Sequence, residues 1–411
     1  MSSKNVEELK AESRALRGTI QESLAADTSH FSEDEYQLLK FHGTYQQDDR
    51  DQRAARKAQN QDKAWMFMVR SKLPGGDLTD AQYLEHDKIA RELGNGTLRI
   101  TTRQGFQTHG VLKGDLKECI RRINESGVTT WGACGDVVRN TIAAAAPISD
   151  PAHRDAQHLA KEISQAFLSR STAYADIWLN DEKLDAVGGS SRSSEAIGTS
   201  SASSEVTTTE EPLYGKQYLP RKFKIAIAIP PRNDVDVYAN DLGFIAQVES
   251  AEVKGYTVVV GGGFGMTHGK QDTYPVLAKP LGYVARDQVI QTAVAIVTVQ
   301  RDFGNRTDRK RARLKYLIDE KGIEWFRQEV QARLPFALQA PKEVRWDTVS
   351  DILGWHQQGD GKLFCGLWIQ EGRIQDAEGV NTRSAFAKIA QEFGFPVRLT
   401  TNCNLIFYNI D

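Results

Sequence analysis

Along the chain, the spacing of apolar positions changes in the same order twice. Residues 65–73, "WMFMVRSKL", form a near-continuous apolar run that meets a turn at Pro74-Gly75-Gly76. A helical pattern follows, opened by Thr79 with Gln82 in the capping-box position and closed at Gly94. "TLRITT" and "FQTHGV" then alternate as strands do, so the segment predicts strand, helix, strand, strand. The order returns in "KLFCGLWIQ", a turn at Glu371-Gly372, a helix "RSAFAKIAQEF" closed at Gly394, and the strands "VRLTT" and "NLIFYNI". "IARELG" against "IAQEFG" and "LRITTR" against "VRLTTN" bring the copies into register with one residue deleted, which makes this an internal repeat. Two such halves can pair edge to edge into one pseudo-symmetric sheet domain.

Between the copies, helical patterns near 153–169, 286–302 and 308–333 alternate with β-branched or aromatic runs, "YADIWL", "FKIAIAI" and "YTVVV". The expected fold class is α+β, with repeat halves at 65–133 and 346–411 and a central α/β domain at 134–345. Within that domain, the Ser/Thr/Gly/Glu tract 189–211 is too polar to bury a core and is expected to be a mobile insertion. Residues 1–64 read as a polar helical arm.

Composition narrows the class without naming it. A chain of 411 residues with 40% hydrophobic and 26% charged residues is globular, and the first thirty residues lack the apolar core of a signal peptide. No window nears eighteen unbroken apolar residues, so no membrane span is expected and a cytoplasmic location is. The net charge of −2 gives no general pull toward nucleic acid, so a basic site must be local. Cys119, Cys134, Cys365 and Cys403 stand far apart with no CxxC pair and read as reduced thiols.

Local basic sites are present in five places: Arg70 with Lys72; Arg99 with Arg103; Arg139; Arg221 with Lys222 and Lys224; and Arg306 with Arg309 and Lys310. Strand alternation would point Arg99, Thr101 and Arg103 to one face, and Lys222 and Lys224 to one face. Any one of these is more often a solvated surface charge. If they converge, they suit a ligand with many carboxylates together with a small oxyanion. "VVVGGGFGMTHG" misses the third glycine of a dinucleotide loop, because Met266 stands there, and reads as a tight turn able to approach a flat ligand. His42, His109 and His268 lack metal-site spacing, so no metal ligands are expected among them.

"LKFHGTYQQDDRD", "LRITTRQGFQTHGVLK", "GACGDVVRN", "YLPRKFKIAIAIPPRNDVDVYANDLGF", "VVGGGFGMTHG" and "QRDFGNRTDRKRARLKYLI" stand in this order, and together they resemble the sulfite and nitrite reductase family, its assimilatory sulfite reductase haemoproteins in particular. The resemblance implies two ferredoxin-like half-domains around sirohaem, a coupled 4Fe-4S cluster, and six-electron reduction of sulfite to sulfide. Nitrite as substrate, in a ferredoxin-type enzyme, and a non-catalytic tetrapyrrole-binding module are the alternatives. By the same resemblance Arg139, Lys222 and Lys224 match the sulfite-binding cations, and Lys72 or Arg70 supplies the fourth. Arg99, Thr101, Arg103, Gln107 and His109 match the strand that holds sirohaem carboxylates, with Arg221 and Arg309 adding to it. The implied electron donor is ferredoxin or an NADPH-flavoprotein subunit. One departure stands out: the family's closely spaced cluster cysteines have no counterpart here. The expectation is therefore a fragment or one half of a split protein, partnered by a separate cluster-bearing portion.

Overall fold

The computed structural model describes residues 4–180 and 211–411; apart from Glu211, the tract expected to be a mobile insertion lies outside them. Three five-stranded sheets organise the chain. The first is antiparallel, in the order Thr44–Asp48, Trp65–Arg70, Phe106–Val111, Leu98–Ile100, Arg373–Ile374. Its counterpart runs Gly354–Gln357, Leu363–Leu367, Leu405–Ile410, Val397–Leu399, Asp77–Leu78. Position for position these are the same sheet, and each takes its fifth strand from the other copy. Arg373–Ile374 pairs with Leu98 and Arg99, and Asp77–Leu78 pairs with Val397 and Arg398. This reciprocal exchange, together with the packing of helix Thr382–Phe393 on helix Asp80–Glu92, joins the two copies into one body.

The repeat helices form where the sequence signals them. Thr79 caps Asp80–Glu92 through the Gln82 amide N–H at 3.1 Å, with Gln82 returning the bond, and Gly394 ends Thr382–Phe393 in the left-handed conformation at φ +64°. The third sheet is mixed, in the order Lys279–Ala285, Glu252–Val260, Leu242–Glu249, Ile225–Ala228, Ile142–Ala143, its last three strands parallel. "IAIA" at Ile225–Ala228 is wholly buried, as a strand covered on both faces must be. Helices Pro151–Ala166 and Val289–Phe303 pack on this sheet and on each other.

Four local readings change. "YADIWL" is the helix Ala173–Trp178, whose buried Ile177 and Trp178 explain the apolar run. The pattern at 308–333 breaks at Gly322 (φ +88°) into Leu314–Lys321 and Ile323–Gln331. The N-terminal arm, besides its helices Val6–Glu12, Ile20–Ala25, Glu33–Leu39 and Arg53–Ala58, holds the edge strand Thr44–Asp48, whose polar "TYQQD" carries no strand alternation. The fourth concerns Arg103 and is described with the site. His42 fixes this arm to the body: Trp178 Nε1 donates to its Nδ1 at 2.8 Å and its Nε2 donates to Leu16 O at 2.9 Å. Burial pushes its pKa down to about 4, so it is a neutral structural histidine.

Candidate functional site

Strand register gathers the first group of cations. Arg70 faces Gln107, Gln107 faces Arg99, and Arg99 faces Arg373, so one row of side chains crosses four strands of the first sheet. The Gln107 amide is satisfied with its oxygen accepting from Arg70 Nε at 3.1 Å and its nitrogen donating to His109 Nε2 at 3.2 Å. His109 sits two residues along the same strand, on the same face. Burial, reinforced by Arg99, Arg70 and Arg373, lowers its pKa to about 4, which leaves a neutral ring among three guanidiniums. Arg70 Nη1 also donates to Cys134 Sγ at 2.9 Å. Arg99 and Arg373 have no carboxylate partner among the described residues.

A second group comes from the start of the central sheet. Val138 and Phe223 form a parallel bridge, and the Arg139 amide donates to Phe223 O at 2.9 Å. Phe223 is buried, so Lys222 and Lys224 project together on the opposite side, as alternation predicts. Burial and the neighbouring Arg139 and Arg221 lower the pKa of Lys222 to about 8. Burial with Arg103 and Arg313 takes that of Lys224 to about 7. Neither ammonium is hydrogen-bonded or ion-paired among the described residues. Lys72, in the first repeat half and only 3% exposed, has an ammonium with no hydrogen-bond partner among the described residues, and burial lowers its pKa to about 8.

Arg103 departs from the face predicted for it. The strand ends at Ile100, and the chain turns through Thr101–Gly105, where the Thr101 amide donates to Gly105 O at 3.0 Å and Thr101 Oγ1 accepts the Arg103 amide at 3.3 Å. Its guanidinium crosses to the central domain instead, donating to Asn240 Oδ1 at 2.6 Å, Ile225 O at 2.8 Å and Asn140 O. Arg309 is likewise engaged, holding Asp136 in a fork at 2.7 and 3.1 Å. Arg306 binds Glu7 of the N-terminal helix, whereas Arg221 has no partner among the described residues.

Sequence reasoning missed Arg313, Asp241 and Arg373. Asp241 accepts the Arg313 fork at 2.8 and 2.9 Å and the Lys224 amide at 2.9 Å, so it anchors the lysine strand. The pair lies 72 residues apart in sequence, and no local pattern announces it. The glycine turn beside it packs on backbone: a Cβ at Gly262 would lie 2.1 Å from Tyr238 O. Phe264 and Met266, which follow, are more than half exposed.

The four cysteines do not form a ligand set. Cys119 is core, its pKa pushed up to about 12 by burial; Cys134 faces Arg70; Cys365 lies on a strand and Cys403 in the turn after Leu399. No group of three or more His, Cys, Asp or Glu residues converges among the described residues. No described helix is long and apolar enough to cross a membrane.

Residues 58–126 and 356–411 match the nitrite/sulfite reductase ferredoxin-like half domain, and residues 186–338 match the nitrite and sulphite reductase 4Fe-4S domain. The sulfite reductase [NADPH] hemoprotein beta-component of Chromohalobacter salexigens is 47% identical over 98% of this chain and 68% of its own length. That of Lysinibacillus sphaericus is 43% identical over 99% and 68%. The Mycobacterium tuberculosis NirA structure superposes with a TM-score of 0.73 at 22% identity, covering 99% of this chain and 66% of NirA, which shows the shared fold. This chain belongs to the nitrite and sulfite reductase family, as a sulfite reductase haemoprotein. It spans about two thirds of the length of these relatives. The nitrite alternative is not favoured, because the relatives at this identity are named sulfite reductases.

Sirohaem and a 4Fe-4S cluster are the cofactors of this family. Arg99 and Arg373, without carboxylate partners among the described residues, and the orphaned buried Lys72 Nζ fit a polycarboxylate macrocycle with a small anion. The dispersed cysteines do not fit the cluster.

Proposed function

We propose that this chain forms the sirohaem cradle and the sulfite pocket of an NADPH-linked sulfite reductase. The single observation that carries the reading is the row Arg70, Gln107, Arg99 together with the crowded cations Lys222, Lys224, Arg139 and Arg221, the two ammoniums having no hydrogen-bond or ion-pair partner among the described residues. Arg99, Gln107 and His109 hold macrocycle carboxylates, with Thr101 at the mouth of the turn and Arg221 on the central side. Arg103 and Arg309 act through the protein groups they bind: Arg103 holds Asn240 of the central domain, and Arg309 holds Asp136, which Lys10 of the N-terminal helix also meets at 3.5 Å. Arg139, Lys222, Lys224 and Lys72 hold sulfite, with Arg70 oriented behind them by Gln107 and Cys134.

When bound, sirohaem supplies the iron at which electrons reach sulfite. The chain supplies charge and protons. Sulfite reduction removes oxygens as water and consumes protons, and fixed ammonium and guanidinium groups stabilise the negative charge that builds as S–O bonds break. Lys224, with its pKa near 7, and Lys222, near 8, give up a proton more readily than an ordinary lysine. In the relatives' names the haemoprotein is the β-component of an NADPH enzyme, so the electron donor is a separate NADPH-oxidising component.

Sulfite titration of the sirohaem-loaded chain, followed by visible absorption, tests the assignment. The double variant Lys222→Ala/Lys224→Ala should bind sulfite at least about tenfold more weakly, with sirohaem affinity kept. Equal sulfite affinity would contradict it.

A further inference from the structure

Resting on the cradle reading, we infer that Arg373 is a further carboxylate contact for the macrocycle, lent to the first sheet by the second repeat copy. Arg373 lies on the borrowed strand Arg373–Ile374 and is the direct cross-strand partner of Arg99. It therefore extends the row from Arg70 through Gln107 and Arg99 by one more guanidinium on the same face. Arg373 is exposed and Arg99 half-buried, and neither has a carboxylate partner among the described residues.

Like charges directly opposite on neighbouring strands destabilise a sheet, and the other copy avoids the conflict. At the equivalent place Arg398 faces Asp77 and donates to it at 3.1 Å. Lys161 and Tyr408 add 3.0 and 2.6 Å contacts to the same carboxylate. The rest of that second row is Ile406 and Gly366, where the first has Gln107 and Arg70. One copy thus satisfies its arginine internally, and the other leaves two arginines with no carboxylate partner among the described residues, open to an external anion. A ligand carboxylate between Arg99 and Arg373 would also bind residues from both copies, tying the strand exchange to occupancy.

The test is titration of the full 411-residue chain with sirohaem, followed by absorption, beside thermal melts of the unloaded protein. Arg373→Gln should raise Kd about tenfold or more, as expected for loss of one charge-assisted contact, while the unloaded Tm stays equal or rises. Arg373→Lys, keeping the charge without the fork, should recover part of the affinity. An unchanged Kd in Arg373→Gln overturns the inference alone, and a lowered unloaded Tm assigns the residue a structural role and overturns it too. A wild-type chain that takes up no sirohaem overturns the cradle reading, and this inference with it.

Discussion

Arg398 meets Asp77 across the strand exchange at 3.1 Å, whereas at the matching place in the first sheet Arg99 meets Arg373. The same backbone thus carries a closed ion pair in one copy and an open pair of cations in the other. On the proposed cradle reading, this asymmetry is why only the first copy of the repeat would meet the ligand.

The closed pair has a measurable signature. Burial alone would raise the Asp77 pKa, but Arg398, the Tyr408 hydroxyl and Lys161 overcome it and hold the carboxyl at about 2. A carboxyl lowered on folding contributes stability above its unfolded value, and that contribution is lost as pH falls toward 2. Asp77→Asn should cost about 2 kcal/mol at pH 7. Denaturant melts should show the gap to wild type narrowing as the pH is lowered from about 4.

Lys72 predicts the opposite sign. Its ammonium is buried with no hydrogen-bond partner among the described residues, and burial lowers its pKa to about 8. The unfolded chain therefore binds more protons than the folded one between that value and the ordinary lysine range, so stability rises with pH there. Lys72→Met should stabilise the unloaded chain at pH 7 by roughly 3 kcal/mol, with the advantage fading by about pH 10. A variant less stable than wild type at pH 7 would mean that the ammonium has a partner.

Lys224 should control the pH profile. With a pKa of about 7 it is protonated below neutrality and progressively neutral above, so its service as proton donor and anion holder declines as pH rises through 7. In enzyme carrying both cofactors, kcat for sulfite should fall over that range. Lys224→Arg, which stays charged, should remove this limb while lowering kcat about tenfold or more. A profile unchanged in Lys224→Arg would assign the limb to another group.

Much of this fold was legible because its signals are local. The Thr79 capping box, the Gly394 cap and the paired "TLRI" and "VRLT" strands lie where periodicity and turn chemistry predict. The Lys222 and Lys224 pair was legible too, since buried Phe223 between them fixes their side. The strand exchange was not, because Asp77–Leu78 and Arg373–Ile374 are two residues each, too short to show a period. Arg103 misled because alternation holds only while the strand continues, and the turn at Thr101–Gly105 redirects it. Arg313 and Asp241 were invisible because only tertiary packing brings such distant residues together.

On the proposed reading, this chain recognises a macrocycle through its carboxylates. The direct measurement is an anaerobic titration of the chain with sirohaem and, in parallel, with sirohaem whose carboxylates are all methyl esters. The acid form should show saturable uptake that weakens with salt, and the ester little or none, since each lost charge-assisted contact costs about 1.5–3 kcal/mol. Equal affinity for the two forms would contradict it, because the row from Arg70 to Arg373 would then be facing something other than carboxylates.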